Sequence, residues 1–307
     1  MAVAEPCIPG IATMPTPTPP EPTPRSTIAE LRALMAGVPV TAKRVTDIRP
    51  ARVPEVASWL AGEAVTRQPA GTAWVWRQPA VLLEPRAGQH HTAFLAAMAD
   101  PTSPLRQRLQ AAGLGEAPLP SELLWMDIES TGLGDSTPLF LIGVMTCESD
   151  GLHLTQYLAR SPTEEAAVLA LFRETAERHP LLVSFNGKSF DLPYIAGRCR
   201  RFRQPEPTTA AHFDLLHEAR ASWRTQLPNC RLQTLERHLC QRQRVDDVPS
   251  REIPAEYWRF VATGTKGRMP QVLYHNQLDL LTLVELMLHL PAPPVKPSRR
   301  SRPAPSA

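Results

Sequence analysis

The stretch Leu123-Leu124-Trp125-Met126-Asp127-Ile128-Glu129-Ser130-Thr131-Gly132 decides how this chain is read. An apolar run that stops at a Thr-Gly turn predicts a buried strand over 122–128. Strand side chains alternate between faces, so Asp127 and Glu129 project from one face and Leu124, Met126 and Ile128 from the other. Two carboxylates side by side repel each other, and a fold keeps such a pair where a cation sits between them. Magnesium or manganese suits that place, because hard divalent cations choose oxygen ligands. Taken alone, the pair also fits a solvated acidic strand end with no ion.

Downstream, residues 138–147 and 152–158 read as a second and a third strand, joined by a hairpin turn at Glu148-Ser149-Asp150-Gly151. Helical periodicity covers 163–179, with Ala167, Leu169, Leu171 and Phe172 available to a core. Pro180 ends that helix, and a fourth strand follows at 181–185. A helix is expected over 190–203, a fifth strand over 212–216, and only helices after that. Three antiparallel strands, a crossover helix, a strand, a helix and a last strand predict a mixed α/β sheet flanked by helices.

Upstream the pattern is looser. Residues 1–24 are rich in Pro and Thr and predict a disordered tail. Ser26 leads into a short helix over 28–35. Strand-like pieces occupy 72–77 and 80–84, and 91–113 is helical with breaks at Pro101 and Pro104. His90 and His91 read as surface residues, since no Cys or carboxylate stands at ligand spacing. The segment 25–118 is therefore read as an N-terminal extension of unknown role, either a substrate clamp or a protein contact. Residues 292–307, with Arg299, Arg300 and Arg302, predict a basic disordered tail.

At 307 residues and 43% hydrophobic content the chain can bury a full core. A net charge of +3 permits a polyanionic partner without demanding one. No apolar run approaches the length of a membrane span, which argues against a membrane protein. The five scattered cysteines form no C-x-x-C pair, and no secretory signal is visible, so reduced thiols and a cytoplasmic location are expected.

Two further acidic sites follow the first. Asn186-Gly187 forces a turn after the fourth strand and delivers Asp191 to a helix start, at a strand end where α/β folds gather ligands. Asp191 equally suits the helix dipole there. Lys188 stands ready for a phosphate, and Asn186 either bonds its own turn or meets substrate. His275 and Asp279 are four apart and share one helix face, an arrangement that suits a metal ligand beside a base. Arg198, Arg200, Arg201 and Arg203, then Arg231, Arg237, Arg242 and Arg244, either line a phosphate path or form a solvated face. Phe190, Tyr194 and Trp223 are candidates for base stacking, and Asp214 for support of the metal site or for a helix start.

Taken in order, Asp127-Ile-Glu-Ser-Thr-Gly132, Asn186-x-x-x-Phe190-Asp191 and His275-Asn276-x-x-Asp279 resemble the DEDD superfamily of 3′→5′ exonucleases. Phe185-Asn-Gly-Lys-Ser-Phe-Asp-Leu-Pro193, Asp246-Asp-Val-Pro249 and the His275 motif are similar to the YprB-type ribonuclease-H-like domain, over roughly 121–290. The resemblance implies a ribonuclease-H-like fold over 119–291 and exonuclease action on DNA or RNA 3′ ends. It also implies two Mg2+ or Mn2+ ions, one on Asp127, Asp191 and Asp279 and one on Asp127 and Glu129, with His275 as general base. His275 departs from the family pattern in taking the spacing to Asp279 that the superfamily's tyrosine takes, with Tyr274 just before it. Two alternatives stand beside this reading: a non-catalytic nucleic-acid-binding module, and an endonuclease or resolvase of the same fold.

Overall fold

A computed structural model describes residues 53–114 and 118–293. The tail expected over 1–24, the helix expected over 28–35 and the basic tail beyond 293 lie outside the described residues. The strand that carries the acidic pair is β3 (Leu123–Ser130). It pairs antiparallel with β4 (Leu139–Glu148), which pairs antiparallel with β5 (Gly151–Leu158) across the Asp150-Gly151 turn. On its other side β3 runs parallel to β6 (Leu181–Ser184), with Trp125 beside Val183, and β6 runs parallel to β7 (Ala211–Asp214).

Two earlier strands, β1 (Glu63–Arg67) and β2 (Gly71–Pro79), continue the sheet past β5, giving seven strands in the order β1-β2-β5-β4-β3-β6-β7. The piece at 80–84 expected as strand is instead a 3-10 turn over Ala80–Leu82. Pro79 has no N–H to extend the ladder, and the strand ends there. The helical stretch that follows divides into α1 (Ala87–Ala99) and α2 (Pro104–Ala111), with the Ser103 hydroxyl capping α2.

Helices cover both faces of the sheet. Leu124, Met126 and Ile128 face α3 (Glu165–Ala176), which buries Ala167, Val168, Leu171 and Phe172 in one core. The same core holds Ile195 of α4 (Asp191–Arg201) and Tyr257 of α7 (Ile253–Thr263), whose ring stacks on Phe140 at 4.1 Å. On the acid-bearing face, Leu123 and Trp125 meet α8 (Met269–His289). Trp125 donates to Met287 Sδ at 3.1 Å and packs edge-on against Phe94 of α1. Each such side chain, fully removed from water, contributes about 1.5–3 kcal/mol before the entropy of ordering it. Between β7 and α8 lie α5 (Leu215–Trp223) and α6 (Leu232–Leu239).

This topology sets the place of the site. The carboxyl ends of the parallel strands β3, β6 and β7 lie together, and in open α/β sheets that is where ligands bind. Asp127 and Glu129 end β3, Asp191 opens the helix after β6, and Asp214 ends β7.

Candidate active site

The Asp127 carboxylate is fixed from above. Asn276 of α8 donates from Nδ2 to Asp127 Oδ2 at 2.8 Å, and its own Oδ1 accepts from Gln156 at 2.8 Å. Gln156 also donates to the Leu273 carbonyl and accepts from Gln277, so a buried amide chain ties β5, α8 and Asp127 together. A chain of this kind orients a side chain only while every member is satisfied. The close approach depends on Gly143, the β4 residue directly opposite Asp127: a Cβ there would overlap Asn276 Oδ1 and meet Leu280 at 2.9 Å.

Asp191 is positioned by the loop after β6. Asn186 adopts φ +68°, a left-handed conformation that Asn tolerates. The next residue has to be glycine, because a Cβ at 187 would run into Ser184 and come within 3.1 Å of Asp191 Oδ2. Asp214, 3% exposed, accepts from the backbone of Asn186, Lys188 and Leu216. It therefore both caps α5 and holds the loop that carries Asp191. Lys188 extends from that loop and is exposed.

His275 is buried, with Nδ1 2.8 Å from Asp247 Oδ1. Its Nε2 lies 3.5 Å from both Asp279 Oδ2 and Ser250 Oγ. The tight partner is thus on Nδ1, and the looser nitrogen faces Asp279 and Ser250. Arg244 threads the same region: its guanidinium pairs with Asp279, reaches Asp247 at 3.4 Å and donates to Glu236 at 2.7 Å. Glu236 and Arg242 extend this into a buried ion network that includes Glu285.

Burial and neighbouring charge raise three of the acids. Burial, then the charges of Asp279 and Asp191, raise the Asp127 carboxyl well above the ordinary range, against the Asn276 hydrogen bond and Arg244. Burial is again the first cause at Glu129, followed by Asp127, Asp279, Asp191 and Asp247. Asp191 is pushed up to about 7 by burial and by Asp214 and Asp279. Burial alone would lower His275, but the Asp247 hydrogen bond and the charges of Asp279 and Asp247 outweigh it and raise it. Asp247 itself is held down, because the hydrogen bond and charge of His275, with Arg244, outweigh its burial.

Carboxylates crowded enough to raise one another are an oxygen donor set short of positive charge, and that chemistry fits a hard divalent cation. No three of the four acids bring ligating atoms within 4.8 Å of one another; among the described residues only Glu148, Asp150 and His153 do, at the β4–β5 turn. That second group is already engaged, with Glu148 bonded to Arg77 and Thr146 and Asp150 to His153. In the acid site, Asn276 engages Asp127 and Arg244 engages Asp279.

Several arginines and aromatics serve the fold instead of a substrate path. Arg198 is buried and pairs with Glu165, while Arg242 and Arg244 belong to the Glu236 network. Arg200 pairs with Glu206. Tyr194 and Trp223 are buried, and Tyr194 Oη bonds Thr137, so neither offers a free stacking face. His91 contacts the Glu148 carbonyl and His90 lies 3.4 Å from Glu285. Asp247, Gln156 and Gly143 join the site without any expectation attached to them from the sequence. Asp247 sat within the quoted Asp-Asp-Val-Pro motif, which was the available signal.

The family RNase_H_2, described as RNase_H superfamily, matches residues 124–291, more than half of the chain. A protein of Bacillus subtilis (strain 168) described as "Uncharacterized protein YprB" is 32% identical over 192 residues, covering 61% of this chain and 45% of that protein. The chain thus spans less than half the length of this relative. Among solved structures, the family B DNA polymerase from the hyperthermophilic archaeon Pyrobaculum calidifontis superposes with a TM-score of 0.47 at 17% identity, over 57% of this chain and 25% of the polymerase.

Proposed function

The chain belongs to the RNase_H_2 family of the ribonuclease H superfamily, and on that footing we propose that it is a metal-dependent 3′→5′ exonuclease acting on single-stranded nucleic acid ends. One observation carries the reading: at the ligand-binding end of the sheet, burial and the charges of Asp279 and Asp191 raise Asp127 and Glu129, and burial with the charges of Asp214 and Asp279 raises Asp191. Two magnesium or manganese ions, one held by Asp127, Asp191 and Asp279 and the other by Asp127 and Glu129, would supply the positive charge that phosphodiester hydrolysis needs.

The chain's own residues supply the rest. Asp247 accepts from Nδ1–H of His275 and fixes the ring, leaving Nε2 to take the proton of the attacking water. The water oxygen bonds to phosphorus, the bond from phosphorus to the 3′ oxygen breaks, and that oxygen takes up a proton from solvent. The products are a nucleoside 5′-monophosphate and a strand shortened by one, with a 3′-hydroxyl. Asn276 keeps Asp127 aimed, and Asp214 keeps the Asp191 loop in place. Lys188 and Asn186 meet the terminal nucleotide from that loop. We assign the activity to residues 119–291. A cytoplasmic setting is supported by Cys147, Cys199, Cys230 and Cys240, which are all free thiols. No described helix is long and apolar enough to cross a membrane.

Arg244 favours a second reading. Its guanidinium already neutralises Asp279, as suits a non-catalytic binding module. Degradation of 5′-labelled single-stranded DNA and RNA with manganese, wild type against Asp127→Ala, separates the two. A ladder that shortens from the 3′ end and vanishes in the variant is the expected result. Failure to cut either polymer, together with no manganese binding by calorimetry, would leave the binding module.

A further inference from the structure

Two cavities, of about 600 and 330 Å3, adjoin the acids. Gln233 and Arg237 of α6 line both, so the two form one groove along that helix. Its inner end reaches His275 and Asp279, and Arg231 lines it there as well.

The sequence of α6 explains which side chains the groove receives. Leu235 and Glu236 turn inward and are buried, Glu236 under Arg242, Arg244 and Thr282. Gln233 and Arg237 are four apart and share the outward face. The arginines of the groove therefore fall into two kinds. Arg242 and Arg244 are bound by Glu236, Asp247, Asp279 and Glu285. Arg231 and Arg237 are exposed, and neither has an acid within ion-pair distance among the described residues.

A groove with two uncommitted guanidiniums wants anions. No Phe, Tyr or Trp lines it, so it has no platform on which bases could stack. The ligand it fits presents spaced negative charges and is not read by its bases, which describes a sugar–phosphate backbone. We infer that the strand upstream of the 3′-terminal nucleotide lies along α6, with Arg231 and Arg237 each meeting a phosphate. The direction of the strand rests on the exonuclease reading; the backbone site itself does not. The groove thereby takes a nucleic-acid backbone without regard to sequence.

The test is binding, read by fluorescence anisotropy of 5′-labelled oligonucleotides of deoxythymidine, deoxyadenosine and uridine, with EDTA present and salt varied. Arg231→Gln/Arg237→Gln should bind about tenfold more weakly, with the salt slope reduced by about 1.4, since each phosphate on a single strand contributes about 0.7. The loss should be the same for every base in each polymer that binds. Arg231→Lys/Arg237→Lys, which keeps the charge, should restore most of the binding and the slope. Arg77→Gln/Arg86→Gln removes equal charge elsewhere and should bind as wild type. An equal loss in that control, a loss confined to one base, or no binding by wild type overturns the groove. Because the readout is not cleavage, groove-dependent binding without cleavage sinks only the exonuclease. Cleavage with binding unchanged in the groove variant sinks only the groove.

Discussion

Asn276 Nδ2 sits 2.8 Å from Asp127 Oδ2, across 149 residues of sequence, and this hydrogen bond ties the first acid directly to the helix that carries His275 and Asp279. A partner that orients a ligating carboxylate typically controls 10–100-fold in metal affinity or activity. Asn276→Ala should therefore lose roughly that factor in manganese affinity by calorimetry. Asn276→Asp, which sets a like charge against Asp127, should lose more. Affinity unchanged in both would remove Asn276 from the site.

Gly143→Ala tests the packing that allows this contact. The new methyl would overlap Asn276 and press on Leu280. Overpacking of this kind costs about 1–3 kcal/mol. Urea denaturation should show that loss, and manganese affinity should fall with it because α8 has to shift.

The acids predict an unusual dependence on pH. Asp191 retains its proton in the folded protein up to about 7, against an ordinary value of 3.8, and Asp127 and Glu129 are raised too. Above pH ~4 the unfolded chain binds fewer protons at these groups than the folded one, so the stability of the metal-free protein falls as pH rises toward 7. For Asp191 alone the loss is on the order of 4 kcal/mol at most, at about 1.4 kcal/mol per pH unit. Manganese should reverse the trend, binding more tightly at higher pH with release of protons. Thermal melts across this range, with and without the ion, check the sign. Rising stability of the metal-free protein would contradict it.

Asp247→Asn separates the role of the Asp247–His275 pair from packing. Asp247 raises the His275 imidazole through its hydrogen bond and charge. Its removal should lower the imidazole's proton affinity, so the acid limb of the pH–rate profile should move to lower pH. Maximal rate should drop as the ring loses its orientation. A profile that keeps its position would assign Asp247 to structure alone.

Arg244→Met leaves Glu236, Asp247 and Asp279 without their shared guanidinium. Breaking a buried pair from one side costs about 3–5 kcal/mol. Manganese should restore more stability to this variant than to wild type, because Asp279 then lacks its guanidinium and the ion supplies the missing charge. Equal gains in the two proteins would separate Arg244 from the metal site.

The sequence made the sheet core legible because its strands are short apolar runs closed by clear turns, with the acids at their ends. Asp127, Glu129, Asp191, His275 and Asp279 could be named since each belongs to a local motif. What supports them could not. Gln156 reaches Asn276 across 120 residues, and its strand gives no sign of a partner. Gly143 looks like an ordinary strand residue until α8 lies on it. The arginines were ambiguous for the same reason, since burial in a network and exposure in a groove look alike along a chain. Residues 63–79 showed no chemistry, yet they extend the sheet beyond β5.

The separation of Asp127 from its clamp has a consequence during synthesis. Domains form as the ribosome delivers them, amino end first. A nascent chain presents Asp127, Glu129 and Asp191 well before His275, Asn276 and Asp279 exist, and α8 has to dock before any of the three can act. Through that interval the growing protein carries three of the acids with their site incomplete.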